Sequence, residues 1–202
     1  MAPPRLIARH AAHPRGLFGR FVGGLMNRFN SRINRFALEL LDVQSADRVA
    51  EIGFGGGVTL APLIERAAHV TGIDRSRDVV AWATARFRAA IDAGRADFRL
   101  GEIEALPLES SQFDKVCSIN TVYFWRSLPE GASEIRRVLK ADGVLALGFL
   151  PGEAMARLGF PQDIFTFRSA DDVAHALRQA GFGTAEVRRL EPHTAWNVIV
   201  AR

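Results

Sequence analysis

Residues 50–57 read AEIGFGGG, an acid, Glu51, followed by four glycines. Glycine accepts positive φ and lets a ligand reach the backbone without meeting a Cβ. Gly53, Gly55 and Gly57 alternate along the end of a short apolar run, RVAEIGF (48–54), which reads as a buried strand. A helix follows, and its first N–H groups face whatever the loop holds. A tight strand-to-helix turn needs fewer glycines, so the loop reads as a ligand cradle. Two phosphate cradles fit poorly. No lysine lies near the glycines, which excludes a G-x-x-x-x-G-K-[ST] loop. The dinucleotide pattern G-x-G-x-x-G/A, counted from Gly53, wants a small residue where Val58 stands.

Other chemistry-bearing residues recur at the ends of apolar runs. Asp74 closes HVTGID (69–74) and is followed by Arg75. Glu102 and Ile103 follow the run DFRL. Asn120 ends FDKVCSIN (113–120), and an aromatic cluster, Tyr123, Phe124 and Trp125, comes next. Tyr123 is the candidate for orienting an acceptor or relaying a proton. His10, His13 and His193 are weaker candidates, because nothing in the sequence places them.

These residues need elements to hold them. A helical apolar stripe runs over 17–41 (Phe18, Val22, Leu25, Phe29, Ile33, Phe36, Leu40) and is split by Gly23-Gly24. Strands are expected at 48–54, 69–74, 97–102, 113–120 and 143–150. Helices are expected at 58–69, at 77–93 (capped by Ser76 and stopped by Gly94) and at 128–140, closed by an Ala141-Asp142-Gly143 turn. Ser169 and Asp172 have capping-box spacing before a helix that ends at Gly181. The runs 184–191 and 195–202 read as a closing antiparallel strand pair. Strands alternating with helices predict βαβ units, hence a mostly parallel sheet covered on both faces. Ligands then bind at the carboxyl ends of the strands, in the loops 53–59, 74–77, 101–107 and 120–128.

Composition narrows the classes. The chain has 202 residues, 48% of them hydrophobic, enough for one well-cored domain. One cysteine, Cys117, excludes an intrachain disulfide, and no Cys/His spacing suits zinc. No apolar segment reads as a signal peptide or a membrane span, so the expected location is the cytoplasm. Residues 1–36 carry seven arginines and no acid. Residues 37–202 carry 19 basic and 22 acidic residues, a sum of −3. A basic arm thus precedes a mildly acidic body.

The spacing E-x-G-x-G-x-G matches in full at Glu51, Gly53, Gly55 and Gly57. It resembles the first motif of the class I S-adenosylmethionine-dependent methyltransferases. VTGID, GEIEALP (101–107), FDKV and RRVLKADGVLAL also resemble that family, in the expected order over about residues 45–200. Within it, the chain looks most like the ubiquinone/menaquinone-biosynthesis and related small-molecule methyltransferases. The resemblance implies a Rossmann-like doubly wound α/β sheet of seven strands with N-terminal lid helices. It divides the chain into an arm with lid helices (1–44) and a methyltransferase domain (45–202). It implies S-adenosyl-L-methionine as cofactor and S-adenosyl-L-homocysteine as product. The cofactor would lie on Gly53, Phe54, Gly55 and Gly57, with Glu51 facing its ammonium group. Asp74 would hold the ribose, and Arg75 would also border the cofactor. Glu102 and the Ile103 N–H would meet the adenine, with Glu standing where the family commonly has Asp. Asn120 would stand beside the methyl donor.

Methyl transfer from a sulfonium needs positioning and desolvation more than a nucleophilic side chain. The expected acceptor is a small, apolar or aromatic molecule against Tyr123, Phe124 and Trp125. The arm is expected to close over the cleft as a lid, with contact to an anionic membrane as a lesser role for its arginines. Nucleic acid is disfavoured, since an RNA methyltransferase would rest on the arm alone. A methyltransferase-like binding or scaffold module is the alternative from outside the enzymes.

Overall fold

The structure is a computed structural model that describes residues 31–190 and 195–202. The first half of the apolar stripe, the basic arm to residue 30, His10, His13 and His193 therefore lie outside the described residues. The stripe's second half forms helix α1 (31–41). The order continues β1 (Arg48–Ile52), α2 (Leu60–Arg66), β2 (His69–Asp74), α3 (Arg77–Arg86), α4 (Arg88–Asp92), β3 (Ala96–Leu100) and β4 (Phe113–Ile119). A single 3-10 turn (Val122–Phe124) leads into α5 (Leu128–Val138). Then come β5 (Leu139–Phe149), α6 (Gly152–Arg157), α7 (Ala170–Gln179), β6 (Ala185–Arg189) and β7 (Asn197–Ala201).

The seven strands run β3-β2-β1-β4-β5-β7-β6. The first five are parallel, and β7 pairs antiparallel with both β5 and β6. The chain reverses direction across the sheet between β1 and β4, which opens a crevice at their carboxyl ends. β5 shows how the sheet is covered. Leu145, Leu147 and Phe149 enter the core under α5 and α7, while Val144 and Ala146 enter the core with Ile33, Ala37 and Leu41 of α1. Among the described residues no helix is long and apolar enough to cross a membrane.

Two local expectations are corrected. The helix expected over 77–93 breaks at Phe87 (φ −104°, ψ 24°). The ring turns inward against Phe98 of β3, with centroids 5.7 Å apart. The turn expected at 141–143 is absorbed into β5 as an irregularity opposite Phe113 and Lys115. The Arg136 guanidinium holds it, donating to the carbonyls of Lys140 (2.9 Å) and Ala141 (3.3 Å). The Ser169 cap is present, accepting from the Asp172 N–H at 3.0 Å.

Candidate active site

Glu51 lies near the end of β1 and is 4% exposed. Thr59, at the N-cap of α2, spends its hydroxyl on Glu51 Oε1 instead of capping the helix. The other oxygen, Oε2, is buried without a hydrogen-bond partner among the described residues. Burial pushes the Glu51 carboxyl up to about 8; Thr59 opposes the rise and the nearby negative charge of Asp74 adds to it. A buried acceptor without a donor is costly in an isolated domain, so Oε2 marks where a cationic or donor group belongs.

Asp74 ends β2 and reaches into the glycine loop. Oδ2 accepts from the Gly55 N–H at 3.0 Å and Oδ1 from the Ser76 N–H at 2.9 Å. Burial raises its carboxyl above the ordinary range, and these N–H groups oppose that rise. A carboxylate has about four lone-pair sites, so Asp74 can pin the loop and still accept from a diol.

The three alternating glycines serve different ends. Gly53 has φ +73°, and a Cβ there would lie 2.4 Å from Thr121 Cγ2. A Cβ at Gly57 would lie 2.9 Å from the Trp82 ring. At Gly55 (φ +48°) a Cβ would meet nothing within 4 Å among the described residues. The chain's own packing claims two of the glycines, and Gly55 alone faces open space. Phe54 turns away into the core, its ring 5.6 Å from that of Phe98, so only its backbone borders the loop.

Beyond β3, Glu102 forms an isolated bridge with Ala105, and its carboxylate pairs with Arg126. Ile103 is buried beside Gly131. Arg126 is tied back a second time, its N–H donating to Glu104 Oε1 at 2.6 Å. Arg75 sets its guanidinium 5.3 Å from the centroid of the Phe124 ring. Desolvation lowers its pKa from the usual arginine value, and Asp74, Glu102 and Glu104 act against that.

The loop after β4 is tightly wired. Asn120 takes a left-handed conformation (φ +60°), and its N–H donates to Gly148 O at 2.7 Å. Ser118 donates to Ile52 O (2.9 Å) and bonds the Thr121 hydroxyl (2.6 Å), which accepts from Trp125 Nε1 (3.2 Å). Trp125 and Tyr123 are buried and Phe124 is half-buried. The Tyr123 oxygen accepts from the Leu150 N–H at 2.6 Å and donates to Asn120 Oδ1 at 3.1 Å. Burial raises the Tyr123 hydroxyl above its ordinary pKa, so it stays protonated.

Residues 50–147 match the family model described as a methyltransferase domain. The chain is 32% identical over 139 residues to an uncharacterized methyltransferase of Bacillus subtilis, YdaC, covering 67% of this chain and 74% of the relative. It belongs to the S-adenosylmethionine-dependent methyltransferase family.

Of longer relatives that it also matches, this methyltransferase spans between 29% and 64%. Its fold superimposes on that of a methyltransferase from Haloferax volcanii in complex with the Trm112 methyltransferase activator (TM-score 0.74, 19% identity, 96% of each chain). It also superimposes on a SAM-dependent methyltransferase from Aquifex aeolicus (TM-score 0.68, 19% identity, 85% of this chain and 91% of that one). S-adenosylmethionine is the cofactor, and when bound it supplies a methyl group activated on a sulfonium. The methyltransferase's own residues fit it. The buried Glu51 Oε2 can take an ammonium group, Asp74 can accept from a ribose diol, and the space at Gly55 admits the ligand to the backbone.

Sequence reading missed a second layer around the 120–125 loop. Phe165 packs on Phe124 (5.3 Å), Tyr123 (5.9 Å) and Phe160 (5.4 Å). Arg168 donates to the carbonyls of Val122 (3.1 Å) and Trp125 (2.8 Å). Residues 158–168 have no helical or strand periodicity, so only their aromatics could have flagged them.

Proposed function

We propose that this protein transfers the methyl group of S-adenosylmethionine to a small apolar or aromatic acceptor. The carrying observation is one contiguous wall. Arg75, next to the acid suited to the ribose, stacks on Phe124, and Phe124 opens the cluster completed by Tyr123, Phe160 and Phe165. An acceptor with an apolar ring placed on that cluster adjoins the cofactor side of the crevice. The sequence resemblance to quinone-biosynthesis methyltransferases supports the same acceptor chemistry. Glu51 holds the ammonium group, Asp74 the ribose, and Glu102 with the Ile103 N–H the adenine. For that last contact the Glu102 carboxylate exchanges or shares its pairing with Arg126. Residues 1–44 act as the lid of a domain formed by 45–202.

Calorimetric titration with S-adenosylmethionine, with NAD as control, tests the cofactor half. Binding is expected for the first only. Asp74→Ala is expected to weaken it by about 1.5–3 kcal/mol, the scale for hydrogen bonds to a charged group. A panel of small acceptors with a radiolabelled methyl donor tests the acceptor half. Label appearing only in RNA or protein would replace the small acceptor by a macromolecule.

A further inference from the structure

The geometry around Asn120 fixes which end of its amide faces the crevice. A phenolic hydroxyl has one proton to give. The Tyr123 oxygen already receives the Leu150 N–H, and its own proton goes to Asn120 Oδ1. The Asn120 amide oxygen therefore turns toward Tyr123 and the NH2 group turns away from it. Among the described residues Asn120 Nδ2 has no hydrogen-bond partner, and the residue is half-exposed. Its place is set by the sheet. Cys117 of β4 is level with Glu51 of β1, so three residues further on Asn120 is level with the glycine loop. Its neighbour Thr121 touches Gly53.

We propose that Asn120, locked by Tyr123, selects acceptors that are methylated on an anionic oxygen, a carboxylate or an ionised enol or phenol, and discriminates against amines. This rests on the methyl-transfer reading above. An oxyanion has several lone pairs: one receives the Asn120 N–H while another attacks. A neutral amine has one lone pair, which the attack consumes, and its N–H groups would face the amide N–H groups, donor against donor. Tyr123 is protonated and committed to Asn120, so it takes no proton from the acceptor, and the acceptor arrives ionised. The reaction then balances without proton transfer. An oxygen lone pair forms the O–CH3 bond, the S–CH3 bond breaks with its electron pair returning to sulfur, and an anion plus a sulfonium become two neutral groups. Asn120 touches the acceptor, and Tyr123 is a positioning residue.

Two readouts test this. In the 15N-labelled protein, the Asn120 side-chain NH2 signal, assigned by its loss in Asn120→Asp, is expected to shift on addition of benzoate and not of benzylamine. The Gly55 backbone signal under S-adenosylhomocysteine reports the cofactor reading separately, so either can fail alone. With radiolabelled S-adenosylmethionine at saturation, benzoate and 4-nitrophenol are expected to be labelled over benzylamine and aniline. Asn120→Asp, which tolerates the left-handed backbone, is expected to raise the KM of oxygen acceptors and so lower their labelling below acceptor saturation about 10–100-fold, the scale for losing a hydrogen bond to a charged group, because the acceptor's charge is spent rather than developed in the transition state. Tyr123→Phe frees the amide to turn and is expected to erode the oxygen-to-amine ratio, which a merely structural residue would leave unchanged. Amines labelled as readily as oxygens, no label in either class from a protein whose Gly55 signal shows that it binds the cofactor, or an Asn120 signal unmoved by benzoate each overturn the proposal.

Discussion

A carboxyl group held near neutrality under the glycine loop would make Glu51 a proton-linked contact in the proposed binding mode. Burial keeps it at about 8, so at pH 6.5 the ligand-free protein carries it mostly protonated. A cation against Oε2 favours the carboxylate, so binding expels the proton, and affinity rises with pH until Glu51 is already ionised. The ligand's own α-amino group titrates near 7.7–8.0, which confines the clean window to pH 5.5–7.5. Calorimetry at pH 6.5 in buffers of unlike ionisation heat is expected to show about one proton released, and close to none for Glu51→Gln. Stability follows the opposite sign. The folded value lies above the ordinary glutamate value of 4.5, so the contribution of Glu51 is complete below that pH and is lost as pH rises toward about 8. Glu51→Gln is expected to flatten that decline in denaturant melts of the ligand-free protein. Wild-type binding without proton release would show that Glu51 is ionised before the ligand arrives.

At the scale of elements, the glycine loop separates fold from function. A Cβ at Gly53 would collide with Thr121, which the Ser118–Thr121–Trp125 hydrogen bonds hold in place. Gly53→Ala is expected to cost at least about 2 kcal/mol of stability, from overpacking plus the left-handed backbone. Gly55→Ala meets no neighbour, so it costs only the backbone preference, about 1–2 kcal/mol. It is expected to weaken S-adenosylhomocysteine binding at least about tenfold, because its methyl enters ligand space. Urea melts and titrations on the two variants check the contrast, and equal effects on both would remove the distinction. Sequence spacing picked out all three glycines, Glu51 and Asp74 as candidates, and the structure brings them to one loop, because their residue types stand in a fixed local order. It did not divide the glycines by role, since that depends on Thr121 and Trp82, which are distant in sequence. The break at Phe87 and the layer formed by Phe160, Phe165 and Arg168 escaped for the same reason. Their conformations are decided by what they pack against, and propensity carries no record of it.

Across the whole molecule, α1 connects the arm to the site. Ile33, Ala37 and Leu41 are fully buried on one face. A Cβ at Gly148, near the carboxyl end of β5, would lie 3.5 Å from Ile33 Cγ1. α1 then descends to Asp42 (φ +50°), from which the chain enters β1 at its amino end. The start of α1 thus stands at the carboxyl edge of the sheet, beside the crevice. In the proposed lid role the arm acts on turnover. Deleting residues 1–16 is then expected to raise the acceptor KM or lower kcat, while S-adenosylhomocysteine affinity changes little, because closing segments exclude water and complete a site. If the arginines serve an anionic surface instead, the truncated protein keeps full activity on a soluble acceptor. Binding to anionic vesicles or RNA, salt-sensitive in the full chain, would then be lost. The two roles predict opposite pairs of outcomes from one deletion, so a turnover assay and a vesicle or RNA sedimentation assay on the same truncated protein decide between them.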